Sequence, residues 1–149
     1  MIIKLLISFV LMALCVAIHA IGLMRAMRRF ERSPARADTH FWPPTWLLIR
    51  VAGWLVLLHL VEISLWASLY VWGHAMPDAH SALYFSAVTY TTTGYGDLVL
   101  PDNWRLLGGV EALTGILMCG WSTGFFFAVL SNMYRLQKAR ILGKQYAAD

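Results

Sequence analysis

Three long runs of apolar residues dominate the chain. The first run, Leu5 to Met24, and the last, Ala112 to Tyr134, contain no charged residue. Each has at least the ~20 residues that an α-helix needs to cross the hydrocarbon core of a bilayer. A third run, from Trp46 to Trp72, contains His59 and Glu62 but is also long enough to cross. The pattern predicts an all-α membrane protein with three transmembrane helices.

A shorter apolar run, residues 79–90, lies between the second and third long runs. A helix of that length extends only ~18 Å, so it can enter a bilayer but cannot cross it. The polar segment TTTGYGD, residues 91–97, follows at once. Its peptide groups must be buried in protein or line an aqueous path, because lipid offers them no hydrogen bonds. We therefore expect a re-entrant loop.

These runs predict the organisation of the whole chain. Residues 1–24 form an additional N-terminal transmembrane helix, residues 25–45 a basic connector, and residues 135–149 a short tail. The Pro43-Pro44 pair is expected to separate the connector from the next helix. Residues 46–134 form one unit, which divides into an outer helix (46–72), a short helix (79–90), a loop (91–97) and an inner helix (105–134).

Basic residues predict the orientation of these helices. Five arginines follow the first run and four basic residues follow the last, whereas residues 73–104 contain three aspartates and no Lys or Arg. Because cytoplasmic segments carry the excess of Lys and Arg, we expect the amino terminus and residues 73–104 outside and the carboxyl terminus in the cytoplasm. Only Lys4 and Arg105 oppose this tendency. The clusters flank membrane runs, which indicates contact with lipid head groups and not with nucleic acid.

Composition excludes several classes of protein. The chain is 59% hydrophobic and 13% charged, whereas soluble domains are about 25% charged. The first run exceeds the ~7 to 15 apolar residues of a cleaved signal peptide. Cys15 and Cys119 both fall in predicted membrane helices, so no disulfide is indicated. Because no nucleophile–base pair, phosphate loop or zinc spacing occurs, we expect neither an enzyme nor a bound cofactor.

The segment Thr89 to Asp97, TYTTTGYGD, resembles the selectivity filter of potassium channels. Ahead of it, Tyr84-Phe85 stand where those channels have a short pore helix with paired aromatics, commonly Trp-Trp. Thr93 replaces the Val of the family's TVGYG motif. The resemblance covers residues 46–134, which would then form a pore domain. It implies a multi-pass subunit of the cell membrane that assembles as a homotetramer and conducts K⁺ passively.

The resemblance also implies roles for individual residues of the filter. Glycines take positive φ at little steric cost, which lets successive carbonyls face the same way and replace the hydration shell of K⁺. Tyr95 is expected to pack against the aromatics of the pore helix. The residues that would form the filter are Thr92, Thr93, Gly94, Tyr95 and Gly96, with K⁺ bound at the first four.

Other residues are expected to support the filter or to move with the gate. Asp97 either accepts a hydrogen bond from Tyr84 or acts as a solvated charge that concentrates cations. Glu111 is expected behind the filter, in its hydrogen bonding, or else in outer water. Two glycines of the inner helix are candidates for a hinge or for close helix packing. The filter-support candidates are Asp97, Tyr84, Phe85 and Glu111; the hinge candidates are Gly120 and Gly124, and the cavity candidates on the same face are Ala128 and Asn132.

Ionisable residues inside the membrane runs are candidates for function. His59 and Glu62 stand three residues apart and are expected to pair with one another or with the first helix, with proton sensing as the alternative. A haem held by His19 and His59 is a rival interpretation. We disfavour it because the two residues are predicted ~6 Å and ~20 Å from the cytoplasmic ends of their helices.

Two further questions stay open in the sequence. Because Thr93 adds a hydroxyl behind the filter, a non-selective pore or a non-conducting accessory subunit is an alternative to a selective channel. The tail is too short for a ligand-binding domain. The stimulus and any gating partner are therefore not indicated.

Overall fold

The structure is a computed structural model that describes residues 2–31 and 42–146. Three of its helices are long and apolar enough to cross a membrane. The described residues contain no strand. The predicted all-helical fold with three membrane helices and a short helix is confirmed. In chain order the elements are α1 (Ile2–Glu31), α2 (Trp42–Trp72), α3 (Ala79–Tyr90), a 3₁₀ turn (Asp102–Trp104) and α4 (Arg105–Tyr146).

The short helix α3 has the predicted bounds, but all three long helices extend beyond the runs that predicted them. The expected end of the first helix at residue 24 is wrong, because α1 continues to Glu31 with Arg28 and Arg29 in its last turn. Basic residues there interact favourably with the negative end of the helix dipole. The uncharged run therefore does not mark the end of the helix.

The other two long helices depart from prediction in the same way. α2 begins at Trp42 and not at residue 46, with Pro43 and Pro44 in its first turn. Proline is tolerated there because the first N–H groups of a helix have no intrahelical partner. α4 continues to Tyr146 through most of the expected tail, which is rich in good helix formers. The predicted connector is reduced to residues 32–41, which with Arg32 and Arg36 lie outside the described residues.

The helix α3 is packed between α2 and α4, and α1 packs against those two helices. One core cluster surrounds α3 and includes the fully buried rings of Trp66, Tyr70 and Tyr90. A second cluster joins α1, α2 and α4 towards their opposite ends, around Leu58 and Phe125. The short helix α3 thus packs against the long helices α2 and α4.

The amino terminus of α1 lies beside the turn that leads into α4. The Lys4 ammonium is 4.0 Å from the centre of the Trp104 ring, and it donates a hydrogen bond to the Asn103 carbonyl at 3.5 Å. A cation over an indole face is held by the quadrupole of the ring. The start of α1 and the 91–104 connection therefore share one side of the molecule.

The end of α3 touches the backbone of α4 at Gly115. A Cβ atom placed on Gly115 would lie 1.8 Å from the carbonyl oxygen of Tyr90, the last residue of α3. No side chain fits at that distance. Glycine is therefore required for α4 to support the point where α3 ends.

We predict that Gly115→Ala separates α4 from the end of α3 and lowers the free energy of unfolding by about 1–3 kcal/mol, the usual range for overpacking. The thermal unfolding midpoint of the purified protein in detergent measures this. Gly53→Ala is the control, because an added Cβ at Gly53 meets nothing within 4 Å. That substitution should leave the midpoint unchanged or raise it, because alanine favours a helix. Equal midpoints for both variants would contradict the prediction.

Candidate functional site

The first turn of α3 is fixed by its N-cap, Asp78. One carboxylate oxygen of Asp78 accepts from the backbone N–H of Ser81 at 2.9 Å, and the other accepts from the Ser81 hydroxyl at 2.8 Å. The Ser81 backbone hydrogen bond is the main reason that the pKa of Asp78 lies below its ordinary value. A side chain in this position satisfies one of the free amides of the helix start. The cap sets where α3 begins.

The backbone after α3 alternates between left-handed and right-handed conformations. Thr92, Gly94 and Gly96 have φ values of +59°, +53° and +79°, whereas Thr93 and Tyr95 do not have positive φ. In a strand, successive peptide groups point in opposite directions, but alternation of handedness turns them to one side. The two glycines were expected to adopt this conformation. Thr92 was not, because a β-branched residue rarely does so.

The amides of this segment are tied back to α3. The Thr93 and Gly94 N–H groups both donate to the Val88 carbonyl, at 2.8 and 3.1 Å, and the Thr92 N–H donates to Thr89 at 2.9 Å. In a trans peptide the C=O points opposite to the N–H that follows it. The carbonyls of residues 91, 92 and 93 therefore point away from α3.

These carbonyls have no partner within the described residues, where no hydrogen bond ends on the peptide oxygens of residues 91–95. The whole segment 91–97 is exposed on the single chain. Peptide oxygens at membrane depth require a donor, water or a cation. The arrangement therefore presents a row of oxygen ligands suited to a hard cation.

The far end of the segment is also attached to α3. The Tyr84 hydroxyl donates to Asp97 Oδ2 at 2.7 Å. This hydrogen bond was one of the two alternatives expected for Asp97, the other being a solvated charge. It lowers the pKa of Asp97 and raises that of Tyr84. Asp97 is nevertheless exposed, so it retains a charge that faces solvent. The two ends of the 91–97 segment are thus fixed to one short helix.

The single chain does not show the expected contact between Tyr95 and the aromatic residues of the pore helix. Tyr95 is 71% exposed and makes no ring contact with any described residue of its own chain. The single chain therefore does not contain the expected packing of Tyr95 against pore-helix aromatics, which stays a prediction for an assembly of several chains. Phe85 is buried on the opposite side of α3, where its ring centre lies 5.4 Å from that of Tyr70. It packs α3 against α2.

Glu111 is fully buried behind α3, where it joins three helices. Its Oε2 accepts from the Tyr70 hydroxyl of α2 at 2.7 Å, and its Oε1 accepts from the Ser86 hydroxyl of α3. The expected alternative of a carboxylate in outer water is excluded by this burial. Glu111 acts on the position of α3, since none of its hydrogen bonds reaches the 91–97 segment.

A second buried polar cluster surrounds Glu62. One oxygen of Glu62 lies 2.9 Å from His19 Nδ1 of α1, and the other accepts from the hydroxyl of Tyr90 at the end of α3. His59 Nδ1 lies 3.2 Å from that hydroxyl. Ser122 Oγ of α4 lies 3.0 Å from Nε2 of both histidines. The pairing of Glu62 with the first helix was anticipated, but the parts played by Tyr90 and Ser122 were not.

The depth argument that separated His19 from His59 is wrong. Their ring centres are 5.3 Å apart, because α1 and α2 both extend beyond their apolar runs and the two residues meet at one level. A haem nevertheless does not fit between them. The rings are in direct contact and share one serine hydroxyl, which leaves no space for a macrocycle.

The four inner-helix candidates lie along one side of α4. Gly120, Gly124 and Ala128 are exposed and Asn132 is half-buried. An added Cβ at either glycine would meet nothing within 4 Å. The glycines therefore do not serve packing between helices of the same chain. This face is free for an aqueous space or for a second copy.

Comparison with known proteins identifies one family. A family model described as an ion channel matches residues 51–132, which is more than half of the chain. The match begins within α2, includes α3 and the 91–97 segment, and ends within α4. No curated protein and no solved structure matches the chain.

We predict that Tyr84→Phe raises the pKa of Asp97 towards its ordinary value, because the hydrogen bond from Tyr84 is the main cause of its lowered pKa. A hydrogen bond that lowers a carboxyl pKa stabilises the folded protein fully at pH values above the ordinary pKa of ~3.9. This stabilisation is lost as the pH falls through the lowered pKa. The variant should therefore free the Asp97 end of the 91–97 segment above that pH, while the Thr93 and Gly94 amides stay bonded to Val88, and Asp97 should take up its proton at a higher pH. Carboxyl NMR titration measures the shift, with Asp78 as the internal control. An unchanged Asp97 titration would contradict the hydrogen bond.

Proposed function

The chain belongs to the ion channel family whose model spans residues 51–132, and on that basis we propose that it is a subunit of a potassium-selective channel. It conducts K⁺ passively down its gradient. The observation that carries this proposal is the direction of the carbonyls of residues 91–93, which point away from α3 while their amides are tied to it. Rings of such oxygens replace the water around a dehydrated cation.

We propose four copies around a fourfold axis, as the resemblance to potassium channels implies. One chain supplies one loop, and one loop cannot surround an ion. The exposure of residues 91–97 and of the Tyr95 ring on the single chain is what a subunit interface would remove. In the assembly we place Tyr95 against the pore helix of a neighbouring copy. The C-terminal ends of the four α3 helices then direct partial negative charge towards the central cavity.

The roles of individual residues follow from this assembly. K⁺ binds the carbonyls of Thr92, Thr93, Gly94 and Tyr95, with the Thr92 hydroxyl at the inner end and Gly96 completing the filter. The Tyr84–Asp97 hydrogen bond and the Glu111 cluster hold the pore helix and the filter in place. The face of Gly120, Gly124, Ala128 and Asn132 lines the cavity, with the glycines as the bending point.

Membrane placement completes the proposal. The subunit is multi-pass, with its N-terminus and filter outside and its C-terminus in the cytoplasm, as the distribution of Lys and Arg favours. Its partners are the lipid bilayer and its own copies. Ion channels are not enzymes, and K⁺ is the permeating ion and not a cofactor.

We predict a reversal potential close to the K⁺ equilibrium potential when the protein is reconstituted in liposomes under opposed K⁺ and Na⁺ gradients. Because Thr93 places a hydroxyl at the filter, the ratio of K⁺ to Na⁺ permeability is the quantity that distinguishes a selective pore from a non-selective one. A reversal potential near zero under unequal cations would show a non-selective pore. Absence of current from a reconstituted tetramer would show an accessory subunit. Either result overturns the proposal.

We further predict that Gly94→Ala abolishes K⁺ current while Gly109→Ala preserves it. An added Cβ meets nothing within 4 Å at either glycine, but Gly94 has φ of +53° and Gly109 lies in α4. The two substitutions therefore differ in backbone strain and not in the space around the methyl group. Native mass spectrometry should give a tetramer for both variants. Equal currents from both would contradict the role of the Gly94 backbone.

A further inference from the structure

We propose that His19, His59 and Glu62 bind one divalent transition-metal ion of the zinc class between α1 and α2. Each residue offers a ligand atom, and the three atoms lie within 4.8 Å of one another. The described residues contain no other group of three such side chains. None of these residues contacts the 91–97 segment, so the inference does not depend on the proposed function.

The distances suit a single small cation. His19 Nδ1 is 2.9 Å from one carboxylate oxygen of Glu62, and His59 Nδ1 is 3.6 Å from the other. Zinc bonds of ~2.0–2.2 Å in a tetrahedral arrangement place the ligand atoms ~3.4 Å apart. The 3.6 Å separation runs to the Glu62 oxygen that accepts from Tyr90, so the His59 ring must move towards the other oxygen to share an ion with His19. The three ligand atoms lie within 4.8 Å of one another, so the side chains must close by about 1 Å to surround one zinc ion.

The hydrogen bonds of the cluster need one more hydrogen than its neutral side chains carry. Five contacts join Glu62, Tyr90, Ser122 and the two histidines. A carboxylate with two neutral histidines supplies only four hydrogens for them, since each imidazole and each hydroxyl carries one. One positive charge, either a proton or a metal ion, would therefore complete the cluster. In a membrane interior this deficit is costly, because an unbalanced carboxylate cannot be hydrated.

A divalent ion at the Nδ1 atoms removes this deficit. Both imidazoles would then carry hydrogen on Nε2 and donate to Ser122 Oγ, whose two lone pairs accept both. Tyr90 would continue to donate to the Glu62 oxygen that the metal does not use. Hydrogen bonds of this kind from the second nitrogen orient metal-binding histidines in proteins. Ser122 and Tyr90 are thus already in the positions that such a site requires.

The choice of metal follows from the ligand atoms. Two imidazole nitrogens and one carboxylate oxygen are typical of zinc and related transition metals, whereas Mg²⁺ and Ca²⁺ prefer oxygen ligands alone. His19 and Glu62 are fully buried, and 18% of the His59 side chain is exposed. Bound metal would fix α1 to α2 beside Tyr90, the last residue of α3.

The test uses the full-length protein in nanodiscs, stripped with chelator and then supplied with Zn²⁺. We expect one Zn²⁺ per chain, a higher unfolding temperature, and an X-ray absorption spectrum with two imidazole nitrogens and one carboxylate oxygen. His19→Gln and Glu62→Gln should each weaken binding at least about tenfold, because loss of an outer-shell group already costs that much. His74→Gln and His80→Gln are the matched controls, since both histidines are exposed and outside the cluster, and both should bind as the parent does.

Two outcomes would overturn the proposal. One is absence of Zn²⁺ binding to the parent protein, which would leave a shared proton as the fifth hydrogen of the cluster. The other is bound Zn²⁺ whose absorption spectrum lacks two imidazoles. The spectrum is recorded on the unmodified chain, so it decides the question even if the cluster variants fail to fold. None of these measurements records ion current. Failure of the metal-site proposal can therefore be distinguished from failure of the proposed channel activity.

Discussion

A helix that ends inside a membrane leaves peptide groups that lipid cannot satisfy, and in the proposed channel α3 ends there, at Tyr90. The amides beyond it are satisfied by turning back to α3, where the Val88 carbonyl accepts two of them. Because each peptide is planar and trans, this choice directs the carbonyls of residues 91–93 the other way. The same hydrogen bonds that end the helix therefore create the oxygen row on which the proposed conduction depends.

Everything around α3 holds that end in place. Gly115 allows α4 to touch the Tyr90 carbonyl, and Glu111 ties the middle of α3 to α2. Glu62 binds the Tyr90 hydroxyl from the other side. Buried carboxylates with several donors are costly to disturb, since removal of one partner leaves the charge unsatisfied. Such clusters fix position more than they add stability, and the position of α3 determines where the carbonyls lie.

The sequence predicted the parts of this arrangement that depend on length and on local conformation. The bounds of α3 followed from a run too short to cross the membrane, and positive φ at Gly94 and Gly96 followed from the freedom of glycine. The Tyr84–Asp97 hydrogen bond was one of two alternatives that the sequence left open, the other being a solvated charge at Asp97. The ends of the long helices were missed because hydropathy marks the membrane boundary and not the last helical residue.

Contacts between distant helices could not be predicted in the same way. His19 and Ser122 lie 103 residues apart, and only the rotation and depth of α1 and α4 bring them together. A wrong estimate of depth placed His19 away from His59. Tyr95 is exposed on the single chain, so the pore-helix contact expected for it stays a prediction about the assembly. A single sequence contains no information on either relation.

The central claim is that the carbonyls of residues 92–95 from several copies surround dehydrated K⁺. Its most direct test is a density map of the assembled protein prepared in K⁺ at a resolution that shows peptide oxygens. The account predicts four copies around one axis, with ion density between successive rings of these oxygens. Loops that never meet, or carbonyls turned away from the axis, would contradict it.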